Sequence, residues 1–114
     1  MRNLILILSI SLSSAAFGDS FKEQIVPFLN KYCLECHGGK KVKGKVDFTK
    51  IKSLSAARDY YKIFESGLEL IHEKEMPPED EPQPSKAEIA VYEKWYEKTF
   101  IQDVKARPAE FKAR

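Results

Sequence analysis

The sequence predicts a small all-α domain of about three main helices that wrap around a group bound between them. Three segments place apolar residues at helical spacings, and no stretch alternates apolar and polar residues for long enough to indicate a sheet. A glycine- and lysine-rich stretch and a proline-rich stretch separate these segments. With 114 residues the chain has room for one domain with a marginal core, so we expect a staple such as disulfides, a metal or a large cofactor.

Residues 1–18 differ from the rest of the chain and predict a signal peptide. A short apolar run from Leu4 to Leu12 is followed by small residues that end at Gly18. Cleavage after Gly18 fits a small-x-small rule, and cleavage after Ala16 is the alternative. An uncleaved membrane anchor is the competing interpretation, although the run is short for a membrane span. We therefore expect a periplasmic protein with no transmembrane helix in its mature chain.

The first helix is predicted to begin near Phe21 and to end at Cys33. Asp19 or Ser20 can cap its N-terminus. Pro27 either kinks this helix or serves as the first residue of a helix that begins there. Its apolar positions are Phe21, Ile25, Phe28, Leu29 and Tyr32.

A second helical segment is predicted from about Ser55, after a loop that is rich in glycine and lysine. We consider Gly67 a point at which the segment divides into two helices. A stiff, extended loop then follows, because four prolines lie between Pro77 and Pro84. The buried stripe of the second segment is predicted to be Ala56, Tyr60, Ile63, Phe64, Leu68 and Ile71.

The third helix has the clearest start, because Ser85 and Glu88 form an S-x-x-E capping box. Its aromatic face includes Trp95, which we expect to be buried where this helix crosses the first, or near a bound cofactor. The domain is assigned to residues 19–104, and residues 105–114 are predicted to be a C-terminal tail. The formal net charge of +2 falls further when the arginine of the signal peptide is removed, so no nucleic-acid partner is expected.

Both cysteines and one of the two histidines lie within five residues, Cys33 to His37. A redox dithiol of thioredoxin type would place its C-x-x-C after a strand, and no strand is predicted before Cys33. A disulfide between Cys33 and Cys36 would close a loop too small to constrain the unfolded chain, and it would leave His37 unexplained. A zinc site could combine these three residues with His72, but the spacing is wrong for a zinc finger.

Covalent attachment of a haem uses every member of the motif. Two thiols can each add to one vinyl group of a porphyrin, and an imidazole that follows at once can reach the iron. Haem iron has a second axial position, for which a methionine sulfur is a common partner of histidine. Met76 is the one methionine outside the predicted signal peptide. His72 is the competing candidate for that position.

These residues bring the chain close to a known family. Through "PFLNKYCLECHG", "KGKVDF", "EMPPEDEPQPSKAE" and Trp95, it resembles c-type cytochromes, and most closely the Planctomycete-type cytochrome c domain, from about Phe21 to Phe100. The chain departs from the family pattern at Phe64, where tryptophan is usual, and at Lys74 and Glu75, where a glycine is often found.

The resemblance assigns a role to each residue of the site. It implies one covalently attached haem c, with Cys33 and Cys36 as the thioether residues and His37 as the proximal iron ligand. It also implies Met76 as the distal ligand and a cytochrome c maturation machinery that attaches the haem.

The function expected from this resemblance is one-electron transfer through an exposed haem edge by a periplasmic monohaem cytochrome that is not an enzyme. Its partners would be a redox protein donor and acceptor. The alternatives are a haem-based ligand sensor or peroxidase-like enzyme, with an open or displaceable sixth position, and a non-haem metal-binding module. Six lysines could steer an acidic partner to the haem edge or could simply be solvated: Lys40, Lys41, Lys43, Lys45, Lys50 and Lys52.

Overall fold

The protein is mostly helical in a computed structural model that describes residues 19–102. Of these residues 64% are helical and 5% lie in strands. This confirms the helical part of the predicted fold class. The predicted signal peptide, residues 1–18, and the predicted tail, residues 105–114, lie outside the described residues. The α-helices of the described range are α1 Val26–Tyr32, α2 Leu54–Asp59, α3 Tyr61–His72 and α4 Lys86–Tyr96.

The first predicted helix is present, and its two halves differ in winding. Phe21–Ile25 forms a π-helical segment that leads directly into α1. Pro27 is the second residue of α1, and it has no N–H to donate to a carbonyl of the preceding π-helical segment. Of the two expectations for Pro27, the structure is nearer to a regular helix that begins beside it, although Val26 and not Pro27 is the first residue of α1. A second π-helical segment, Glu97–Gln102, continues α4 at the other end of the domain.

The second predicted segment divides at Tyr60, and the prediction of a division at Gly67 is wrong. Tyr60 leaves helical geometry at φ −106° and ψ 28°, and the Ser53 hydroxyl caps the start of α2. Gly67 stays inside α3, where a Cβ atom would lie 3.3 Å from the Tyr92 hydroxyl. Tyr60 is 42% exposed, so it does not belong to the buried stripe in which it was predicted.

The loop after the cysteine motif contains a short hairpin that the sequence did not predict. Strand β1, His37–Gly38, pairs antiparallel with β2, Lys41–Val42. Gly39 lies between them at φ 64°, a conformation that glycine adopts without strain. Two single turns of 3₁₀-helix, Lys43–Lys45 and Phe48–Lys50, continue the loop.

The core is built mainly from aromatic rings of the three helical segments. Phe64 of α3 is 1% exposed, and its ring centroid lies 5.2 Å from Trp95 and 6.3 Å from Phe21. Trp95 is 2% exposed and lies 5.9 Å from Phe21, so its predicted burial at the crossing of the third and first segments is confirmed. The buried hydrophobic residues are Phe21, Ile25, Phe28, Leu29, Ile51, Ala57, Phe64, Tyr92, Trp95 and Phe100.

The predicted capping box at the start of α4 is confirmed. The Ser85 hydroxyl accepts the Glu88 N–H at 3.1 Å, and the Glu88 carboxylate accepts the Ser85 N–H at 3.1 Å.

No helix within residues 19–102 combines the length and the apolar character needed to cross a bilayer.

Candidate haem-attachment site

The cysteine motif forms one tight turn at the C-terminal end of α1. The N–H groups of Cys33 and Leu34 both donate to the Leu29 carbonyl at 2.9 Å. The chain then folds back, because the His37 N–H donates to the Cys33 carbonyl at 2.9 Å and the Cys36 N–H donates to it at 3.3 Å. The three residues predicted to bind haem are thus brought together by their own backbone.

The two cysteines are free thiols. Cys33 packs against the core, and burial raises the pKa of its thiol to about 12. A thiol of this kind is almost entirely protonated near neutral pH, which disfavours thiolate redox chemistry. The structure therefore gives no support to the redox-dithiol interpretation, and the disulfide of the second interpretation is not formed.

The imidazole of His37 is held by a main-chain carbonyl. Its Nδ1 atom lies 2.8 Å from the Lys43 oxygen, which can only accept, so Nδ1 carries the proton in this contact. The Nε2 atom of the neutral ring then has a free lone pair, which is the arrangement that histidine ligands use when a second group orients them. The Phe48 ring lies edge-on to the imidazole at 6.2 Å.

Phe48 is placed by a capped turn. Asp47 accepts the Thr49 N–H at 3.0 Å and the Thr49 hydroxyl at 2.5 Å, and the hydroxyl contact is the main reason that the pKa of Asp47 is lowered. The Phe48 ring also lies 6.0 Å from Phe64. The 3₁₀ turn thereby links the motif histidine to the aromatic core.

Gly38 follows the motif histidine at a point with no room for a side chain. An added Cβ atom would lie 2.5 Å from Leu34 Cδ2, 3.0 Å from the Leu34 carbonyl oxygen and 3.1 Å from Thr49 Cγ2. Leu34 stands between the two cysteines, so close packing of the motif turn on the loop depends on this glycine.

Met76 is placed by the hydrogen-bonded turn that ends α3. The Glu75 N–H donates to the Leu70 carbonyl at 2.9 Å and the Lys74 N–H donates to the Ile71 carbonyl at 3.1 Å, which together make a Schellman motif. Lys74 occupies the left-handed position of this motif at φ 60°. The Met76 N–H also donates to the Leu70 carbonyl, at 3.2 Å. The side chain of Met76 is 36% exposed.

The proline-rich loop after Met76 contains a turn, so the prediction of an extended conformation is only partly correct. The Glu81 N–H donates to the Pro78 carbonyl at 2.9 Å. The Gln83 amide donates to the carbonyls of Pro77 at 3.1 Å and of Pro78 at 2.9 Å. A side chain thus satisfies main-chain acceptors in a segment whose prolines supply no donors.

His72, the competing distal ligand, is engaged on the outer surface of α3. Its Nε2 atom lies 2.7 Å from Oε1 of Glu93 on α4, and its side chain is 54% exposed. It also lines a groove of about 510 Å³ with Leu68, Glu69 and Tyr96. In residues 19–102 no group of three or more histidine, cysteine or acidic side chains is arranged to hold a metal ion.

A second, smaller groove flanks the motif. It has a volume of about 280 Å³, and its apolar lining is formed by Val26, Leu29, Leu34, Phe48 and Ile51. The six lysines of the loop after the motif are all exposed. An apolar surface beside the motif is therefore bordered by a cationic loop.

One contact near the motif was not anticipated from the sequence. The Tyr32 hydroxyl donates to Oε1 of Glu88 at 2.7 Å and lies 2.9 Å from its Oε2. Lys31 forms an ion pair with the same carboxylate at 3.3 Å. The capping box identified Glu88 as a helix-start residue, but no local pattern indicated that α1 would meet it.

The donor set of this turn fits a covalently attached haem: two free thiols, and an imidazole whose Nδ1 is already bonded and whose Nε2 is available. No family model, no curated protein and no solved structure matches the chain.

Proposed function

We propose that this chain is an exported monohaem c-type cytochrome that carries one electron between redox proteins. The observation that carries the proposal is the His37 imidazole, which the Lys43 carbonyl holds by Nδ1 within one turn of two free thiols. A histidine oriented in this way is prepared to ligate through Nε2. The apolar groove beside Leu34 and Phe48 supplies adjoining surface for a macrocycle.

Each residue of the site has a separate task. Cys33 and Cys36 would form the two thioether bonds, and His37 would be the proximal ligand. The Lys43 carbonyl and the Phe48 ring fix the plane of the imidazole. A bound haem supplies the one-electron redox couple, and the protein tunes that couple by its ligands and by the burial of the site.

Met76 is the proposed distal ligand. The Schellman turn fixes its backbone directly after α3, while its partly exposed thioether is not part of the buried core. His72 is the weaker candidate, because its Nε2 atom is already engaged by Glu93 at 2.7 Å.

The exposed lysine loop is the proposed docking region for an acidic redox partner. Lysines around a transfer site raise the association rate by electrostatic steering, and the effect weakens as salt screens it. The rate of reduction by an acidic partner should therefore fall as ionic strength rises.

The test of the proposal is the mass and the spectrum of the purified protein from a host with working cytochrome c maturation. We expect one covalent haem per chain, reduced attachment in Cys33→Ser and Cys36→Ser, and loss of the proximal bond in His37→Ala. His72→Ala is the matched histidine control and should keep both the haem and the low-spin spectrum. A haem-free mass of the wild type would refute the proposal.

A haem-based ligand sensor or peroxidase-like enzyme is the alternative function, and the exposure of Met76 favours it. A thioether that is 36% exposed before ligation is more easily displaced than one fixed in a core. The carrier predicts a low-spin ferric spectrum and a weak near-infrared sulfur band, and Met76→Ala should lose both. After reduction with dithionite, Met76→Ala should also bind carbon monoxide. A wild-type spectrum that is already high spin would favour the sensor or peroxidase.

A further inference from the structure

The contact between Tyr32 and Glu88 lies at the root of the attachment motif. Tyr32 is the last residue of α1, and Cys33 follows it directly. Its hydroxyl donates to the Glu88 carboxylate, whose two oxygens lie 2.7 Å and 2.9 Å away. The Lys31 ammonium is 3.3 Å from the same carboxylate and 5.1 Å from the centre of the Tyr32 ring. Two consecutive residues of α1 therefore bind one acidic side chain.

Glu88 is at the same time part of the start of α4. It is the third residue of that helix and accepts the Ser85 N–H in the capping box. The Tyr32 hydroxyl is the main cause that lowers its pKa to about 2, and the Ser85 N–H and Lys31 act in the same direction. The carboxylate is thus ionised at neutral pH and accepts donors from two helices.

The position of this contact allows it to act on the motif. The N–H groups of Cys33 and Leu34 both donate to the Leu29 carbonyl. The orientation of the motif turn therefore depends on the orientation of the last turn of α1. His37 is in turn bonded to Cys33. A rotation of the end of α1 would therefore move the thiols and the imidazole together.

We propose that Glu88 is a positioning residue for the haem-attachment motif, which it orients by holding the Tyr32 hydroxyl at the end of α1. The inference rests on the proposed function. Glu88 touches neither cysteine nor His37 in the contacts described above; it acts through Tyr32.

The test compares holoproteins by the pattern of haem methyl shifts in the NMR spectrum of the ferric state, which reports the orientation of the axial ligands. Tyr32→Phe removes only the donated hydrogen bond, and Glu88→Ala removes the acceptor. Both should change the methyl pattern, and the double variant should change it no more than either single variant. Glu88→Gln keeps an acceptor for Tyr32 and should restore the pattern in part. Glu97→Gln is the matched control: Glu97 is an exposed carboxylate at the start of the segment that continues α4, and its replacement should leave the methyl pattern unchanged.

The inference is overturned if Tyr32→Phe and Glu88→Ala lower the melting temperature but leave the methyl pattern unchanged. The contact would then only stabilise the fold. If the wild-type chain carries no haem, the proposed function fails and the positioning role is measured by alkylation of the thiols in the full chain. Cys33 should then react about tenfold faster in Tyr32→Phe and Glu88→Ala, because loss of the bond favours local opening. Equal Cys33 alkylation rates in these variants, the wild type and Glu97→Gln would refute the positioning role.

Discussion

Replacement of Lys74 by glycine should stabilise the protein, although it removes a side chain. Lys74 holds the left-handed position of the Schellman turn at φ 60°. This conformation costs a non-glycine residue about 1–2 kcal/mol. Glycine avoids that cost but gives back about 0.5–1 kcal/mol through the greater freedom of the unfolded chain. From the middle of each range the net gain is about 0.75 kcal/mol, or about 3–6 °C in the melting temperature of a domain of this size.

The same substitution at two other lysines provides the controls. Lys45 also has φ 60°, so Lys45→Gly should be stabilising for the same reason. Lys94 is an exposed residue inside α4, where glycine costs about 1 kcal/mol relative to a good helix former. Urea unfolding followed by circular dichroism at 222 nm gives the three free energies. The reasoning is refuted if Lys74→Gly destabilises the protein as Lys94→Gly does.

The other predictions concern the motif, the core and the Glu88 contact. Gly38→Ala should destabilise the domain by about 1–3 kcal/mol, because its Cβ would overlap Leu34 and Thr49; an unfolding midpoint equal to that of the wild type would contradict this. Trp95→Ala should cost about 3–5 kcal/mol, since the indole is 2% exposed, and Trp95 emission in the haem-loaded wild type should be strongly quenched. Bright, solvent-like emission would count against that position. The folded-state pKa of Glu88 lies below its unfolded value, so its contribution is present above pH 4.5 and is lost as pH falls towards about 2. The difference in urea midpoint between wild type and Glu88→Gln should shrink over this interval, and a constant difference would argue against the assignment.

The helices were predictable because their determinants are local. Apolar residues at helical spacing identified the segments that contain α1, α3 and α4, and the capping box at Ser85 and Glu88 located the start of α4. The division at Tyr60 was missed because glycine is the more usual helix breaker. Gly67 does not break α3; it lies where the Tyr92 hydroxyl of α4 approaches the helix closely. The two-residue strands of the hairpin are too short to produce a recognisable alternation.

The cysteine motif was visible in the sequence, whereas the contacts made by its residues and their neighbours were not. The grouping of Cys33, Cys36 and His37 follows from the sequence alone. The Lys43 carbonyl that binds the His37 ring, and the Glu88 carboxylate that binds Tyr32, depend on how the loop and α4 return to the motif. In the family that the sequence resembles, a glycine is often found where Lys74 and Glu75 stand, and this difference was visible in the sequence. Its structural effect could be read only from the backbone: Lys74 has φ 60°, a conformation that glycine adopts without strain.

The Gln83 amide that closes the proline-rich loop has a consequence for proteolysis. Glu79 and Asp80 in this loop are exposed and would offer cleavage sites to an acid-specific protease. A protease must draw its substrate into an extended strand, which here would require breaking the bonds from Gln83 to the Pro77 and Pro78 carbonyls. Prolines next to the scissile bonds oppose the same rearrangement. Limited digestion should therefore spare this exposed loop, and Gln83→Ala should make Glu79 and Asp80 the first sites to be cut.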